Sequence, residues 1–247
     1  TDDVTVSPEC TDNTCVAELA ANEQGIWFTP NDDPSTRGIV FYPGGGVDPR
    51  AYAPAAHLLA QTGVTVVIVP MPGNFAFNGY QRATRMMAER PEIQHWFLAG
   101  HSAGGASAVT YATESRSALS GLILLGAYGG QGDDLSQSDL PVVSIYGTFD
   151  GIVTLDEIET GKRVLPADTL YLPLAGANHA QFGYYGDQDG DNAADISAER
   201  QHSLFTGAML HFIESTLSPE ATTRHPGFTE AAALGNDWCK NAQRVIA

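Results

Sequence analysis

The sequence predicts an α/β fold in which helices cover both faces of a mostly parallel sheet. Short apolar runs alternate along the chain with stretches of helical periodicity, which is the order of repeated strand–helix–strand units. Several runs are continuously apolar, as expected of strands buried on both faces. Polar and glycine-rich residues follow these runs directly, where the carboxyl ends of parallel strands gather reactive groups. With 247 residues, of which 43% are hydrophobic, the whole chain suits one domain.

The individual elements follow from this alternation. Residues 1–24 are polar and are expected to be irregular. Strands are predicted for the apolar runs, most of which end at glycine or proline, over residues 25–29, 38–42, 64–69, 96–99, 121–125, 142–146 and 170–174. Helices are predicted over residues 49–61, 81–90, the stretch that follows residue 102, 155–164 and 197–217. Residues 219–247 are expected to form an extension packed on the body.

The charge balance excludes two classes of partner. The chain carries 29 acidic and 12 basic residues, a formal net charge of −17, so phosphates of nucleic acids or anionic lipids would be repelled. No apolar run approaches the 18 residues of a membrane span. The sequence begins at Thr1 with a polar stretch, as expected if a leader had been removed, which favours a secreted or periplasmic protein.

The three cysteines lie near the two ends of the chain, at positions 10, 15 and 239. They form no Cys-x-x-Cys pair or Cys/His cluster, so a disulfide is the favoured interpretation and a metal site is not. The sequence leaves the pairing open. Cys10 with Cys15 would be a local bridge, and a bridge from either to Cys239 would tie the two tails together.

One stretch has the features of a catalytic turn. The apolar run 96–99 leads into Gly100-His-Ser-Ala-Gly104, and small residues at helical spacing follow. This order predicts a strand, a sharp turn with Ser102 at its apex, and a helix. The flanking glycines have no Cβ to clash where strand and helix crowd together. The stretch therefore predicts a nucleophile elbow.

A serine nucleophile needs a base and a group that orients the base. Asp150 follows the predicted strand 142–146, and His179 follows the strand 170–174, so both should reach the same sheet edge as Ser102. His179 is preferred over the other six histidines because it alone follows a late strand. Asp156 and Asp168 remain alternatives for the acid.

These features, from about residue 38 to residue 217, resemble those of the α/β-hydrolase family. The matching elements are the Gly-His-Ser-Ala-Gly turn, a Gly-Thr-x-Asp-Gly turn at Asp150, an Asn-His loop at His179, and Pro-Gly-Gly-Gly at positions 43–46. The resemblance implies an α/β-hydrolase fold with Ser102 as nucleophile, His179 as base and Asp150 as orienting acid. It also implies an oxyanion hole from the backbone N–H groups of Gly45 and Ala103, and no cofactor.

The resemblance also indicates the type of hydrolase. The nucleophile is serine, whereas the similarly compact dienelactone hydrolases use cysteine. Residues 131–140, where many relatives insert a cap domain, are too few for one. The chain is similar in size to uncapped cutinase-like and polyester-cleaving members, which implies a serine hydrolase of carboxylic esters, including bulky or polymeric ones. An amidase, peptidase or lactone hydrolase with the same triad is the alternative, and a non-catalytic binding protein of this fold is a further one.

Aromatic residues near the predicted strand ends are candidates for a substrate pocket, with core packing as the alternative for each. Phe75, Tyr128 and Phe182 are the main candidates. The alternating carboxylates of residues 187–192 suit calcium in part, but they lack the glutamate that completes such a loop, so no metal is expected. A monomer is expected.

Overall fold

The computed structural model describes residues 4–31, 35–130 and 132–218. These residues form eight strands, namely β1 Val4–Ser7, β2 Ile26–Pro30, β3 Arg37–Tyr42, β4 Thr65–Ile68, β5 His95–His101, β6 Gly121–Leu125, β7 Val142–Gly147 and β8 Leu170–Leu174. They also form six α-helices, namely α1 Asn13–Ala21, α2 Ala53–Gln61, α3 Arg82–Ala88, α4 Ala103–Ser115, α5 Leu155–Gly161 and α6 Ala198–Leu217. The predicted helices 49–61 and 155–164 are each α-helical in part. The 3₁₀ turn Pro49–Tyr52 precedes α2, and the 3₁₀ turn Lys162–Val164 follows α5.

The strands form one sheet in the order β1-β2-β4-β3-β5-β6-β7-β8. Strand β2 pairs antiparallel with both β1 and β4, and every other pairing is parallel. The carboxyl ends of β3 to β8 therefore meet at one edge of the sheet. Strand β8 ends the sheet and has Pro173 near its middle, opposite Tyr146 of β7. The prediction of a mostly parallel sheet is confirmed.

Successive residues of the central strands pack on opposite faces. Ile39 and Phe41 of β3 pack with α2 and α6, while Val40 and Tyr42 pack with α3 and α4. Each such side chain, when fully buried, stabilises the fold by roughly 1.5–3 kcal/mol. This two-sided burial explains why the strand sequences are continuously apolar, and it fixes the edge at which the loops gather.

The expectation that residues 1–24 are irregular is wrong, because β1 and α1 lie within them. Strand β1 pairs with β2 at the sheet edge, and the carboxylate of Asp12 accepts the N–H of Cys15 to begin α1. Helix α1 buries only Val16 and Leu19, so its apolar periodicity is weak. Cys10 and Cys15 form a disulfide at its start. Cys239 and the predicted extension over residues 219–247 lie outside the described residues.

The connection between β6 and β7 holds no cap domain. Its described residues, 126–130 and 132–141, contain turns and no helix. Leu135 is buried there, and its N–H donates to the carbonyl of Val164 at 2.7 Å, which holds the connection flat against the body. Among the described helices, none combines the length and the apolarity needed to cross a membrane.

Candidate active site

Ser102 lies at the turn between β5 and α4 with a backbone conformation that non-glycine residues rarely adopt, φ 53° and ψ −125°. Such a conformation costs about 1–3 kcal/mol and persists only where the surroundings impose it. The surroundings here are tight. A Cβ on Gly100 would lie 2.5 Å from the carbonyl oxygen of Gly104, and one on Gly104 would lie 2.3 Å from that of Pro43. The predicted strand, turn and helix are therefore present, with Ser102 at the apex.

The structure brings Asp150 and His179 together. Oδ2 of Asp150 lies 2.7 Å from Nδ1 of His179, and both side chains are buried. The other oxygen, Oδ1, accepts the N–H groups of Ile152 at 2.9 Å and Val153 at 2.6 Å. Because a carboxylate only accepts, the proton of the neutral imidazole lies on Nδ1, and Nε2 keeps its lone pair. An acid that orients a histidine base requires this arrangement.

Nε2 of His179 is buried and has no hydrogen-bond partner among the described residues. The bond from Ser102 to this nitrogen is therefore not made in this structure. The ring of His101, the neighbour of Ser102 in the turn, lies 4.5 Å from the ring of His179, so the imidazole lies beside the elbow. In substrate-free enzymes the nucleophile–base bond is often long and tightens when substrate binds.

The two alternative acids lie elsewhere. Asp156 is in the first turn of α5 and Asp168 is in the turn before β8, and both are exposed. Asp150 is the carboxylate in contact with His179.

The turn at residues 43–46 lies against the elbow. A Cβ on Gly45 would lie 3.2 Å from Cβ of Ala103. The N–H of Gly44 donates to the hydroxyl of Tyr52 at 2.9 Å, and that of Gly46 donates to the carbonyl of Asn74 at 2.8 Å. Among the described residues no such bond involves the N–H of Gly45. The neighbouring amides are thus engaged, while that of Gly45 is available to a ligand beside Ala103.

A buried hydrogen-bond chain links this turn to the elbow. The hydroxyl of Tyr52 accepts from the N–H of Gly44 and is also hydrogen-bonded to Nδ1 of His101, 2.8 Å away. Burial, with the nearby His179 as a smaller cause, holds the pKa of His101 well below its ordinary value, and burial raises the pKa of Tyr52 well above its own. Both groups stay neutral near pH 7, so His101 places no positive charge beside His179. The sequence contained no local signal for this contact, because the two residues are 49 positions apart.

Exposed aromatic side chains lie beside the glycine turn. A Cβ on Gly45 would lie 3.2 Å from the ring of Phe75, which is 39% exposed. The ring of Phe77 packs on that of Phe75 at 5.3 Å and is 61% exposed. Phe75 is therefore accessible next to Gly45, as a pocket residue must be.

The other two pocket candidates are held in different surroundings. Phe182 has no accessible surface and packs in the core between the rings of His101 and Phe205, each 5.4 Å away. This contradicts the predicted pocket role, since a fully enclosed side chain has no surface for a substrate. The hydroxyl of Tyr128 donates to Glu157 of α5 at 3.0 Å. These contacts tie Tyr128 to α5, and its substrate contact stays a prediction.

Sequence reasoning missed two residues that hold the loop of His179. The side chain of Gln201 bonds both backbone groups of Asn178, accepting from its N–H at 3.1 Å and donating to its carbonyl at 2.8 Å. Asp191, within the acidic stretch considered for calcium, accepts the N–H of Ala180 at 2.8 Å. Among the described residues, no group of three or more histidine, cysteine or acidic side chains lies close enough to hold a metal ion.

Helix α6 places a second histidine next to this loop. The ring of His202 packs between the rings of Tyr184 at 4.3 Å and Phe205 at 4.9 Å. Burial lowers the pKa of His202 to about 4, although Glu199 acts in the opposite direction. His202 is thus neutral at pH 7 and serves the packing of α6.

Comparison with known proteins supports one family. Residues 38–203 match the family model described as "Alpha/beta hydrolase family". The fold is similar to that of Est1E from Butyrivibrio proteoclasticus, at 15% identity, a TM-score of 0.59, and coverage of 86% of this chain and 99% of that one. It is also similar to the esterase domain of a Rhodothermus marinus protein, at 15% identity, a TM-score of 0.52, and coverage of 63% and 83%. A search of curated protein sequences finds no match.

The matched segment runs from β3 into α6, so it contains the elbow, the Asp150 turn and the His179 loop. It covers well over half of the chain. The chain is a member of the alpha/beta hydrolase family.

Proposed function

We propose that this protein is a serine hydrolase that cleaves carboxylic esters through an acyl-enzyme. The observation that carries the proposal is the buried 2.7 Å contact between Asp150 and His179 beside the strained turn of Ser102. Membership of the family supports hydrolysis, and the two similar structures are named as an esterase domain and as Est1E. An ester is thus the first substrate class to test.

The geometry supports a two-step mechanism. Nε2 of His179 takes the proton of Ser102 as the serine oxygen attacks the ester carbonyl. Asp150 accepts from Nδ1 throughout and stabilises the imidazolium that forms. The N–H groups of Gly45 and Ala103 are proposed to donate to the oxyanion of the tetrahedral intermediate. His179 then protonates the leaving alcohol, and a water molecule releases the acid by the same route.

We extend the proposal to esters with bulky acyl or alcohol groups. The short connection between β6 and β7 leaves the site without a cap, so a large substrate is not excluded by a lid. Phe75 and Phe77 offer exposed apolar surface beside the glycine turn. A panel of p-nitrophenyl esters of increasing chain length, with an anilide, a lactone and a polyester film, tests this extension. Faster turnover of the anilide or the lactone than of every ester would favour the alternative hydrolase classes.

The central experiment compares Ser102→Ala with wild type on p-nitrophenyl butyrate and with a fluorophosphonate probe. We expect Ser102→Ala to lose turnover and labelling, because no other group replaces the nucleophile. Ser107→Ala is the matched control, since its hydroxyl lies about one turn further along α4 and, among the described residues, bonds the carbonyl of Ala103 alone. Full activity in a folded Ser102→Ala variant, or failure of wild type to react with either reagent, would reject the proposal.

We also propose that the protein works outside the cytoplasm. The disulfide between Cys10 and Cys15 supports this, because such bonds persist in oxidising compartments and are rare in the cytosol. Thiol titration of protein produced in the bacterial periplasm tests it. A full complement of free thiols at positions 10 and 15 would contradict it.

A further inference from the structure

One carboxylate bridges the two loops that carry the acid and the base. Oδ1 of Asp191 accepts the N–H of Gly151 at 2.9 Å, and Oδ2 accepts the N–H of Ala180 at 2.8 Å. Gly151 follows Asp150 directly in the chain, and Ala180 follows His179. Asp191 therefore contacts the backbone one residue beyond each member of the pair.

Other backbone hydrogen bonds join the two loops only on the side that precedes Asp150. Before the pair, the N–H of Thr148 donates to the carbonyl of Leu174 at 3.1 Å, and that of Phe149 donates to the carbonyl of Ala177 at 2.9 Å. These links continue the β7–β8 pairing and reach no further than the residue before Asp150. Asp191 supplies a link after it. The side chains of Asp150 and His179 thus lie between two sets of bonds.

The segment that carries Asp191 is itself fixed on the site. Its turn is closed by the N–H of Asp191, which donates to the carbonyl of Gln188 at 3.0 Å. The side-chain amide of Asn178 donates to the carbonyl of Asn192 at 2.8 Å. A Cβ on Gly151 would lie 2.6 Å from the carbonyl oxygen of Gly190, so the segment packs directly on the Asp150 turn. The carboxylate is held in place from both sides.

The chemistry of the bridge requires a carboxylate. Oδ1 accepts the N–H groups of Gly151 and Asn192, the latter at 2.9 Å, and Oδ2 accepts that of Ala180. A side-chain amide has one oxygen, so it cannot accept at both positions. In an Asp191→Asn variant the shape is kept, but an NH₂ group faces one backbone N–H, donor against donor. One loop is then released from the other, and the side chains of Asp150 and His179 are no longer held in their relative positions.

We infer that Asp191 is a positioning residue that sets the geometry of the acid and base, an inference that rests on the proposed serine hydrolase function. It contacts no reacting atom and acts through the two loops. Its loss should slow the steps that use His179 as a base, while substrate binding at the glycine turn and Phe75 stays the same. The signature is a fall in kcat at constant KM.

The test compares Asp191→Asn with Asp189→Asn, which makes the same charge change on an exposed residue two positions away. We measure kcat and KM for p-nitrophenyl butyrate, the rate of fluorophosphonate labelling and the melting temperature. We expect Asp191→Asn to lower kcat and the labelling rate by about 10–100-fold, with KM within about twofold, because small misplacements of catalytic groups have effects of this size. Asp189→Asn should match wild type.

A double-mutant cycle separates positioning from general destabilisation. In an Asp150→Asn background His179 no longer serves as the base, so a positioning role predicts little further loss from Asp191→Asn. The same fold loss in both backgrounds would overturn the inference, as would wild-type kcat in a folded Asp191→Asn variant. If that variant does not fold, Asp191→Glu, which keeps both acceptors but displaces them by one methylene, is put to the same test. An active wild type with an unaffected Asp191 variant refutes this inference alone, whereas an inactive wild type refutes the proposed function.

Discussion

Asp150→Asn removes the charge of the acid while keeping its shape, and the structure dictates how the new amide must point. Oδ1 of Asp150 accepts the N–H groups of Ile152 and Val153. In the variant only the amide oxygen can accept these bonds, so the NH₂ group takes the place of Oδ2, 2.7 Å from Nδ1 of His179. The NH₂ group then donates to Nδ1, and the imidazole proton moves to Nε2. His179 loses the lone pair that would take the proton of Ser102.

The size of the effect follows from this change of tautomer. The opposite orientation of the amide would leave two buried N–H groups facing an NH₂ group. Each unsatisfied donor would cost about 1–3 kcal/mol of stability. The inactive tautomer is therefore the stable one. Loss of the base in this way lowers kcat by about 10⁴-fold in a serine triad, equivalent to about 5 kcal/mol of barrier. Initial rates on p-nitrophenyl butyrate at pH 7 measure it, with circular dichroism to verify the fold.

Asp156→Asn and Asp168→Asn are the controls, since both carboxylates are exposed and were the alternative acids. Both should keep wild-type activity. A kcat within tenfold of wild type for a folded Asp150→Asn variant would refute the reasoning. So would a large loss in either control variant.

Three further changes test other parts of the site. Tyr52→Phe removes the hydroxyl that bonds His101, and we expect about tenfold lower kcat at unchanged KM, with about 1–3 kcal/mol lost in urea unfolding; wild-type kinetics would contradict this. Gly104→Ala places a Cβ 2.3 Å from the carbonyl oxygen of Pro43, so a loss of more than about 3 kcal/mol or no folded protein is expected, and an unchanged melting temperature would be inconsistent with the geometry. The pKa of His202 is about 4 when folded and 6.5 when unfolded, so its contribution to stability is complete above pH 6.5 and is lost as pH falls towards 4. Between pH 8 and pH 5, the free energy of unfolding should therefore fall by about 2 kcal/mol less in His202→Phe than in wild type. Equal losses in both proteins would refute this.

The sequence was sufficient where the placement of a residue depends on strand ends. Ser102, Asp150 and His179 each follow an apolar run, and parallel strands deliver such residues to one edge whatever the loops do. The same reasoning failed for Phe182, because a loop position does not reveal whether its side chain points outward or into the core. Helix α1 was missed since only two of its side chains are buried.

The contacts that hold the site in place were beyond sequence reasoning. The bond from Asp191 to Gly151 joins residues 40 positions apart, and it follows from how one loop lies over another. The acidic stretch drew attention as a possible metal loop, although one of its carboxylates serves backbone amides instead. The cysteine pairing was open for a similar reason, and the structure selects the local bridge between Cys10 and Cys15.

The two outer strands of the sheet bear on how the protein behaves in concentrated solution. An exposed strand edge is a template on which another chain can add a strand, and proteins that persist as separate molecules blunt it. Strand β8 is interrupted by Pro173, which lacks an N–H to donate, and the described part of β1, at the opposite border, has four residues. The net charge of −17 adds mutual repulsion between copies. Both borders are therefore poor starting points for aggregation by strand addition.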